Sequence, residues 1–269
     1  PIQLWFLEQD LPQPHHFNQS LLLALPAGLE PDVLKRVASA LSRHHDTLRL
    51  RLDREAGEWR QYLAGVDDTP PVTVVNLTTL AEAERGAALE VEAAKLQASL
   101  NLSDGPLFRL ALFRLGGKSG DRLLWIIHHL GVDGISWRIL IEDLRTAIRQ
   151  AHRGEEIVFP AKTSSFASYA TWLREGAEKS AAALDSWLAL LTGDAAQLPV
   201  DFPANHSRNT VVSREYLSVE LDEIETERLV REAPRAYQTQ INDLLLTALL
   251  QTLTSGIEAR ALRLDLETH

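Results

Sequence analysis

Cysteine and methionine are both missing from the 269 residues of this chain. Without cysteine there is no disulfide framework, no thiolate nucleophile and no thiolate metal site. The absence of methionine fits a piece cut from a larger protein. There is no run of about 18 apolar residues and no basic leader before an apolar stretch, so no membrane span or secretory signal is legible and a cytoplasmic setting is expected. The sequons at Asn18, Asn76, Asn101 and Asn205 therefore read as chance matches. Positive charge is also short. The chain has 27 Lys and Arg against 37 Asp and Glu, a net charge of −10, and its basic residues are scattered. Phosphate backbones demand clustered Lys and Arg, so nucleic acid is excluded as the main partner. What is present is ordinary globular material, 45% hydrophobic and 24% charged, enough for one large or two medium cores.

Periodicity gives an alternating α/β order. Helices are expected over Ile2 to Gln9, from Glu30-Pro31 through His44 (with Val33, Leu34, Val37 and Leu41 on one face) and over Leu80 to Ala98. Strands are expected over Ser20 to Leu25, Leu48 to Leu52, Trp59 to Leu63 beyond a turn at Ala56-Gly57, Val72 to Val75, and Leu107 to Leu115. Gly116-Gly117-Lys118 lacks the longer spacing and the following helix of a phosphate loop. A loop around Pro160 leads to helical stretches at Phe166 to Glu175 and Ala181 to Leu191, then a proline-containing connection from Leu198 to Asn209. Beyond it, Val211 to Leu221 alternates like a strand, Glu223 to Glu232 and Ile241 to Leu253 like helices, and Ala261 to Leu266 reads as a strand. The second part would thus repeat the strand and helix mix of the first. The divisions expected are 1–165, a connection 166–209, and 210–269.

The chemistry concentrates at Ile126-Ile127-His128-His129-Leu130-Gly131-Val132-Asp133-Gly134-Ile135-Ser136-Trp137. Leu123 to Ile127 reads as a strand buried on both faces, and Trp137, Leu140, Ile141, Leu144 and Ile148 recur at helical spacing after two glycines. Successive strand side chains point to opposite faces, so His128 and His129 cannot both reach one reaction centre. Either histidine could instead be a satisfied core group, and Asp133 could be only the N-cap of the following helix. Metal binding is not expected. His129 and Asp133 are four apart, but the glycines interrupt the helix that would align them, and no further ligand pattern is present.

This segment resembles the His-His-x-x-x-Asp-Gly motif of the condensation superfamily of nonribosomal peptide synthetases, whose fold is similar to chloramphenicol acetyltransferase. Its continuation, Asp133 to Leu140 with Ser136-Trp137, resembles the epimerization branch. So do Pro1-Ile2-Gln3-Leu4-Trp5-Phe6, Pro14-His15-His16-Phe17-Asn18-Gln19-Ser20, and Ala236 to Leu246. Leu264-Asp265-Leu266-Glu267-Thr268-His269 resembles the start of Asp-Leu-Glu-Gly-His-Gly-Arg-Glu, with Thr268 in place of glycine. The likeness implies an α/β (α+β) chloramphenicol-acetyltransferase-like two-lobe fold, of which the chain would hold the first lobe and the beginning of the second.

The activity implied is inversion of the α-carbon of an aminoacyl or peptidyl thioester held on the phosphopantetheine arm of a carrier protein. A thioester carbonyl acidifies the α-hydrogen, so an acid and a base suffice and no bound cofactor is implied. By resemblance, His129 is the essential imidazole and Glu267 the catalytic glutamate. Asp133 would order the loop through an ion pair with an arginine outside this chain, and His128, Gly134 and Trp137 would be structural. The partners implied are a peptidyl carrier domain and neighbouring synthetase domains, and the 269 residues alone are expected to be inactive. Three alternatives stand: a condensing domain joining two carrier-bound substrates, an acyltransferase using coenzyme A, and a non-catalytic recruitment module.

Overall fold

The computed structural model describes residues 2–26, 28–67, 69–116, 120–192, 198, 211–255, 262–264 and 266. The chain divides into two compact units, Pro1–Glu178 and Lys179–His269.

The first unit is built on a four-stranded sheet. Its members are β1 (Asn18–Leu25), β4 (Val72–Asn76), β5 (Phe108–Arg114) and β6 (Asp121–His128), and their order is β1-β6-β5-β4. β6 runs antiparallel to both β1 and β5, and β4 is parallel to β5. A separate hairpin joins β2 (Leu50–Glu55) and β3 (Glu58–Leu63). Its turn is Ala56-Gly57, both with positive φ (52° and 91°), the backbone twist that matches two flanking antiparallel strands.

Alternation along β5 and β6 sorts their side chains onto two faces. Leu110, Leu112, Leu123, Trp125 and Ile127 pack with α2 (Pro31–His44) and α4 (Gly134–His152), through Leu34, Val37 and Leu41 and through Trp137, Leu140 and Leu144. Ala111, Phe113, Leu124 and Ile126 pack on the other face against Ala93 and its neighbours in α3 (Glu82–Gln97). Leu123 to Ile127 is buried throughout, as an apolar run without polar alternation requires. Each expected element of this unit is present, with ends shifted by no more than four residues. Leu48 and Arg49 are the exception, belonging to a 3-10 turn over Asp46–Arg49 before the strand opens. The short helix α1 is Ile2–Glu8, and α5 is Phe166–Lys179.

The second unit departs from its reading. The described residues of 179–269 carry helices and no strand: α6 (Leu184–Thr192), α7 (Glu223–Glu227), α8 (Ala233–Tyr237) and α9 (Ile241–Thr254). The strand expected over Val211 to Leu221 is instead a 3-10 turn at Val211–Ser213 followed by chain without regular structure. Alternation stabilises a strand only when a neighbour completes its ladder and covers one face. Here Leu217 and Val219 are 94% and 87% exposed, so the pattern has nothing to pair with among the described residues. Residues 262–264 and 266 likewise hold no strand, and the rest of that expected strand and the connection from residue 199 to 209 lie outside the described residues. The helix expected over Glu223 to Glu232 continues to Tyr237 through a π turn at Arg228–Glu232. Pro234 has no N–H to give to the carbonyl of Val230, and a π turn accommodates that lost bond.

Leu123, fully buried between two helices and two strands, should be costly to truncate. Leu123→Ala is expected to lower unfolding free energy by about 2–5 kcal/mol in urea titration. Lys35→Ala, which removes only an exposed pair with Asp32, should change it by less than about 1 kcal/mol.

Candidate functional site

The end of β6 positions both histidines. His128 closes the strand opposite Asn18 of β1, and the chain turns immediately through a 3-10 turn, His129–Gly131, into α4. The turn lies tight against the stretch before β2. A Cβ on Gly131 would sit 3.3 Å from the carbonyl oxygen of Thr47, a contact that favours glycine. At Gly134 an added Cβ would meet nothing within 4 Å and the backbone is not left-handed, so nothing among the described residues demands glycine there.

His128 is wholly buried. Its Nε2 donates to the carbonyl of Pro14 (2.8 Å), and its Nδ1 accepts the backbone N–H of Leu130 (3.1 Å). Phe6 meets the ring edge to face with centroids 5.8 Å apart. Both ring nitrogens are therefore used by backbone groups. Burial pushes the imidazole down to about 4 against the opposing pull of the Pro14 carbonyl, and nearby His15 and His129 act in the same direction as burial.

His129 is half-buried and stacks on Phe17, centroids 5.6 Å apart and planes 14° from parallel. Nδ1 lies 2.9 Å from the carbonyl oxygen of Val132, and Nε2 lies 3.0 Å from the amide nitrogen of Gln19. The indole N–H of Trp137 donates to Gln19 Oε1 at 2.7 Å. Trp137 itself is buried and packs edge-on against Trp125. Asp133 is the N-cap of α4, its Oδ1 accepting the backbone N–H of Ser136 at 2.7 Å. From α1, the side-chain amide of Gln3 donates to the carbonyl of Leu130 (3.2 Å) and holds the turn from its other side.

The structure thus brings His128, His129, Asp133, Gly134 and Trp137 together where β6 passes into α4. Glu267 lies outside the described residues. Gln19, Phe17 and the carbonyls of Pro14 and Val132 are site elements that a reading of the motif alone misses. The legible signal for Gln19 is parity: it faces Ile127 across the ladder, on the sheet face that carries α4.

Among the described residues, His44, His45 and Asp143 place ligand atoms within 4.8 Å of one another. His45 Nε2 is already 2.8 Å from Asp143 Oδ2, and the charge of Lys162 reaches His45. A cation would have to displace that bond beside an ammonium group. The pair works instead as a tie between the end of α2 and the middle of α4, with burial holding the His45 imidazole below its ordinary value.

With this geometry in place, the comparisons with known proteins are specific. The family model of the condensation domain matches residues 1–258. Chondramide synthase cmdD of Chondromyces crocatus is 40% identical over 276 residues, spanning all of this chain and 7% of that protein. Tyrocidine synthase 1 of Brevibacillus parabrevis is 37% identical over 273 residues, again all of this chain and 24% of that protein. The crystal structure of the epimerization domain from the third module of tyrocidine synthetase B matches with a TM-score of 0.81 and 35% identity, over 95% of this chain and 56% of that one. The chain therefore belongs to the condensation-domain family of nonribosomal peptide synthetases, with the chloramphenicol-acetyltransferase-like fold of that family. It spans a small fraction of its multidomain relatives and about half of the solved epimerization domain. No helix among the described residues is long and apolar enough to cross a membrane.

The buried His128 makes stability depend on pH. The unfolded chain takes up a proton there below about 6.5, whereas the folded one stays neutral until about 4. Its contribution is complete above 6.5 and is lost as pH falls towards 4, a decrease on the order of 3 kcal/mol. In chemical unfolding measured from pH 7 down to 4, His128→Asn, which has no group to titrate, should show a distinctly flatter decline than the native protein.

Proposed function

We propose that this chain is part of a domain that epimerises the α-carbon of an aminoacyl or peptidyl thioester carried on a phosphopantetheine arm. The observation that carries this reading is the likeness to the solved epimerization domain, which extends over nearly the whole chain. Ser136 and Trp137 after Asp133-Gly134, where the sequence resembles that branch, support it.

The chemistry needs a base for the α-hydrogen and a proton donor for the opposite face. His129 supplies the first. A proton on Nδ1, given to the Val132 carbonyl, leaves the lone pair on Nε2. In the free chain that lone pair accepts from the Gln19 amide, so substrate displaces the amide before Nε2 takes the α-hydrogen. The C–H bond then breaks and its electron pair moves into an enolate with the thioester carbonyl. Return of a proton to the other face completes inversion. Glu267 is the second group in this proposal, on resemblance alone. His128 takes no part, because it is wholly buried and both of its nitrogens are held by the backbone, whereas His129 is half-buried. Asp133 caps α4 and keeps the turn in register, and an arginine from beyond this chain is its proposed further partner. A carrier protein bearing the thioester and the adjoining synthetase domains are the partners that this reaction requires.

Peptide-bond formation between two carrier-bound substrates is the competing reading, because the matching family model is that of the condensation domain. Heavy water separates the two. In the complete domain with one loaded carrier and no acceptor, deuterium should enter the α-position and both stereoisomers should appear. His129→Ala should reduce that exchange by about 100-fold or more, and Glu267→Gln should slow it comparably. Amide formation with an added acceptor carrier, without any exchange in the native domain, would replace the epimerase by the condensing reading.

A further inference from the structure

We infer that Gln19 is a positioning residue for His129 and that Trp137 aims it, the three side chains forming one hydrogen-bond chain with a fixed direction. The inference rests on the proposed role of His129 as the reacting imidazole, and adds what sets the state of that ring.

The direction follows from partners that can act only one way. The Trp137 indole N–H can only donate, so the Gln19 atom 2.7 Å away must be the carbonyl oxygen. That decides the orientation of the amide, which heavy-atom positions alone leave open. The Gln19 NH2 group is then the end that faces His129 Nε2 at 3.0 Å, and it too can only donate. Nε2 must therefore present its lone pair. At the other side of the ring, the Val132 carbonyl can only accept, so Nδ1 carries the proton. One arrangement satisfies every partner: a neutral ring, protonated on Nδ1, with Nε2 as the acceptor. A proton added at Nε2 would oppose N–H to N–H. Turning the amide over to avoid this would strip the buried Trp137 N–H of its acceptor, at a cost of the kind incurred by any orphaned buried donor.

The fold supplies each part of this chain separately. β1 pairs with β6 so that Gln19 lies opposite Ile127, on the face from which His129 also projects, one alternation further along. α4 starts at the Asp133 cap, and its first turn brings Trp137 over the same spot. Phe17, two residues before Gln19, covers one face of the imidazole. Gln19 and Trp137 are 118 positions apart and lie in two of the segments by which the sequence resembles the epimerization branch. They are halves of one device. It holds the ring in the neutral Nδ1–H form before substrate arrives, with the Gln19 amide as the placeholder on Nε2 that the α-hydrogen must displace.

The test uses the complete domain with its carrier, labelled with 15N-histidine, at neutral pH. Nitrogen chemical shifts assigned by comparison with His129→Ala report the tautomer and charge of the ring directly. The native ring should read as neutral with the proton on Nδ1. Gln19→Glu offers a carboxylate that accepts from Nε2–H and should convert it to the doubly protonated form. Trp137→Phe keeps the aromatic bulk but frees the amide to turn, and should move the signature the same way in part. In both variants kcat for α-deuterium exchange should fall by about 10- to 100-fold, with KM for the loaded carrier changed by less than about threefold. Gln19→Leu, which removes every hydrogen bond of this residue, should lose exchange without creating the doubly protonated ring. A native ring protonated on Nε2, or signatures unmoved in both Gln19→Glu and Trp137→Phe, would overturn the inference. If the ring responds as expected but the native domain shows no exchange, the positioning stands and the epimerase reading fails.

Discussion

His128 sets the geometry on which the rest of the site depends. It is the last residue of a strand with a neighbour on each side, and its ring is closed off by the Pro14 carbonyl and the Leu130 N–H. With that ring anchored, the chain can continue only by turning, and the next side chain leaves on the opposite face. The anchor is energetically committed, because a buried imidazole that resists protonation down to about 4 is stable in its place only while neutral. The apolar run before it, the tight contact of Gly131 with Thr47 and the Asp133 cap then fix where the turn ends and α4 begins.

From this anchor the chemistry of His129 follows by polarity more than by proximity. A carbonyl at one ring nitrogen and an amide N–H at the other leave a single proton position that satisfies both. Membership of the condensation-domain family accounts for the motif and the fold. The family alone does not choose between moving an α-proton and joining an acyl group to an amine, since an imidazole with its lone pair on Nε2 serves either reaction. The choice proposed rests on the likeness to an epimerization domain and on the residues around the motif.

The first unit is legible in the sequence because its signals are local. Helical spacing in α2 and α4, the Ala56-Gly57 turn and the uninterrupted apolar run of β6 each report a short segment of chain, and each element forms where expected. The opposite faces of His128 and His129 follow from strand alternation alone. Gln19 is visible in the sequence only as part of a resembling segment, since its place beside His129 depends on the register between strands whose paired residues lie about a hundred positions apart. The strand expected at Val211 to Leu221 fails for a related reason: alternation shows that a segment could lie on a core, and not whether a neighbour is there to receive it. The motif makes Gly134 structural, yet its surroundings among the described residues are open.

The account turns on which imidazole meets the substrate and with which nitrogen. A crystal structure of the complete domain, with its carrier arm bearing an amide-linked analogue of the aminoacyl thioester, measures this directly. The analogue's α-carbon should lie about 3–3.5 Å from His129 Nε2, with His128 still bonded to Pro14 and Leu130. An α-carbon out of reach of His129, or a His128 ring released from those backbone groups and turned towards the substrate, would contradict the account.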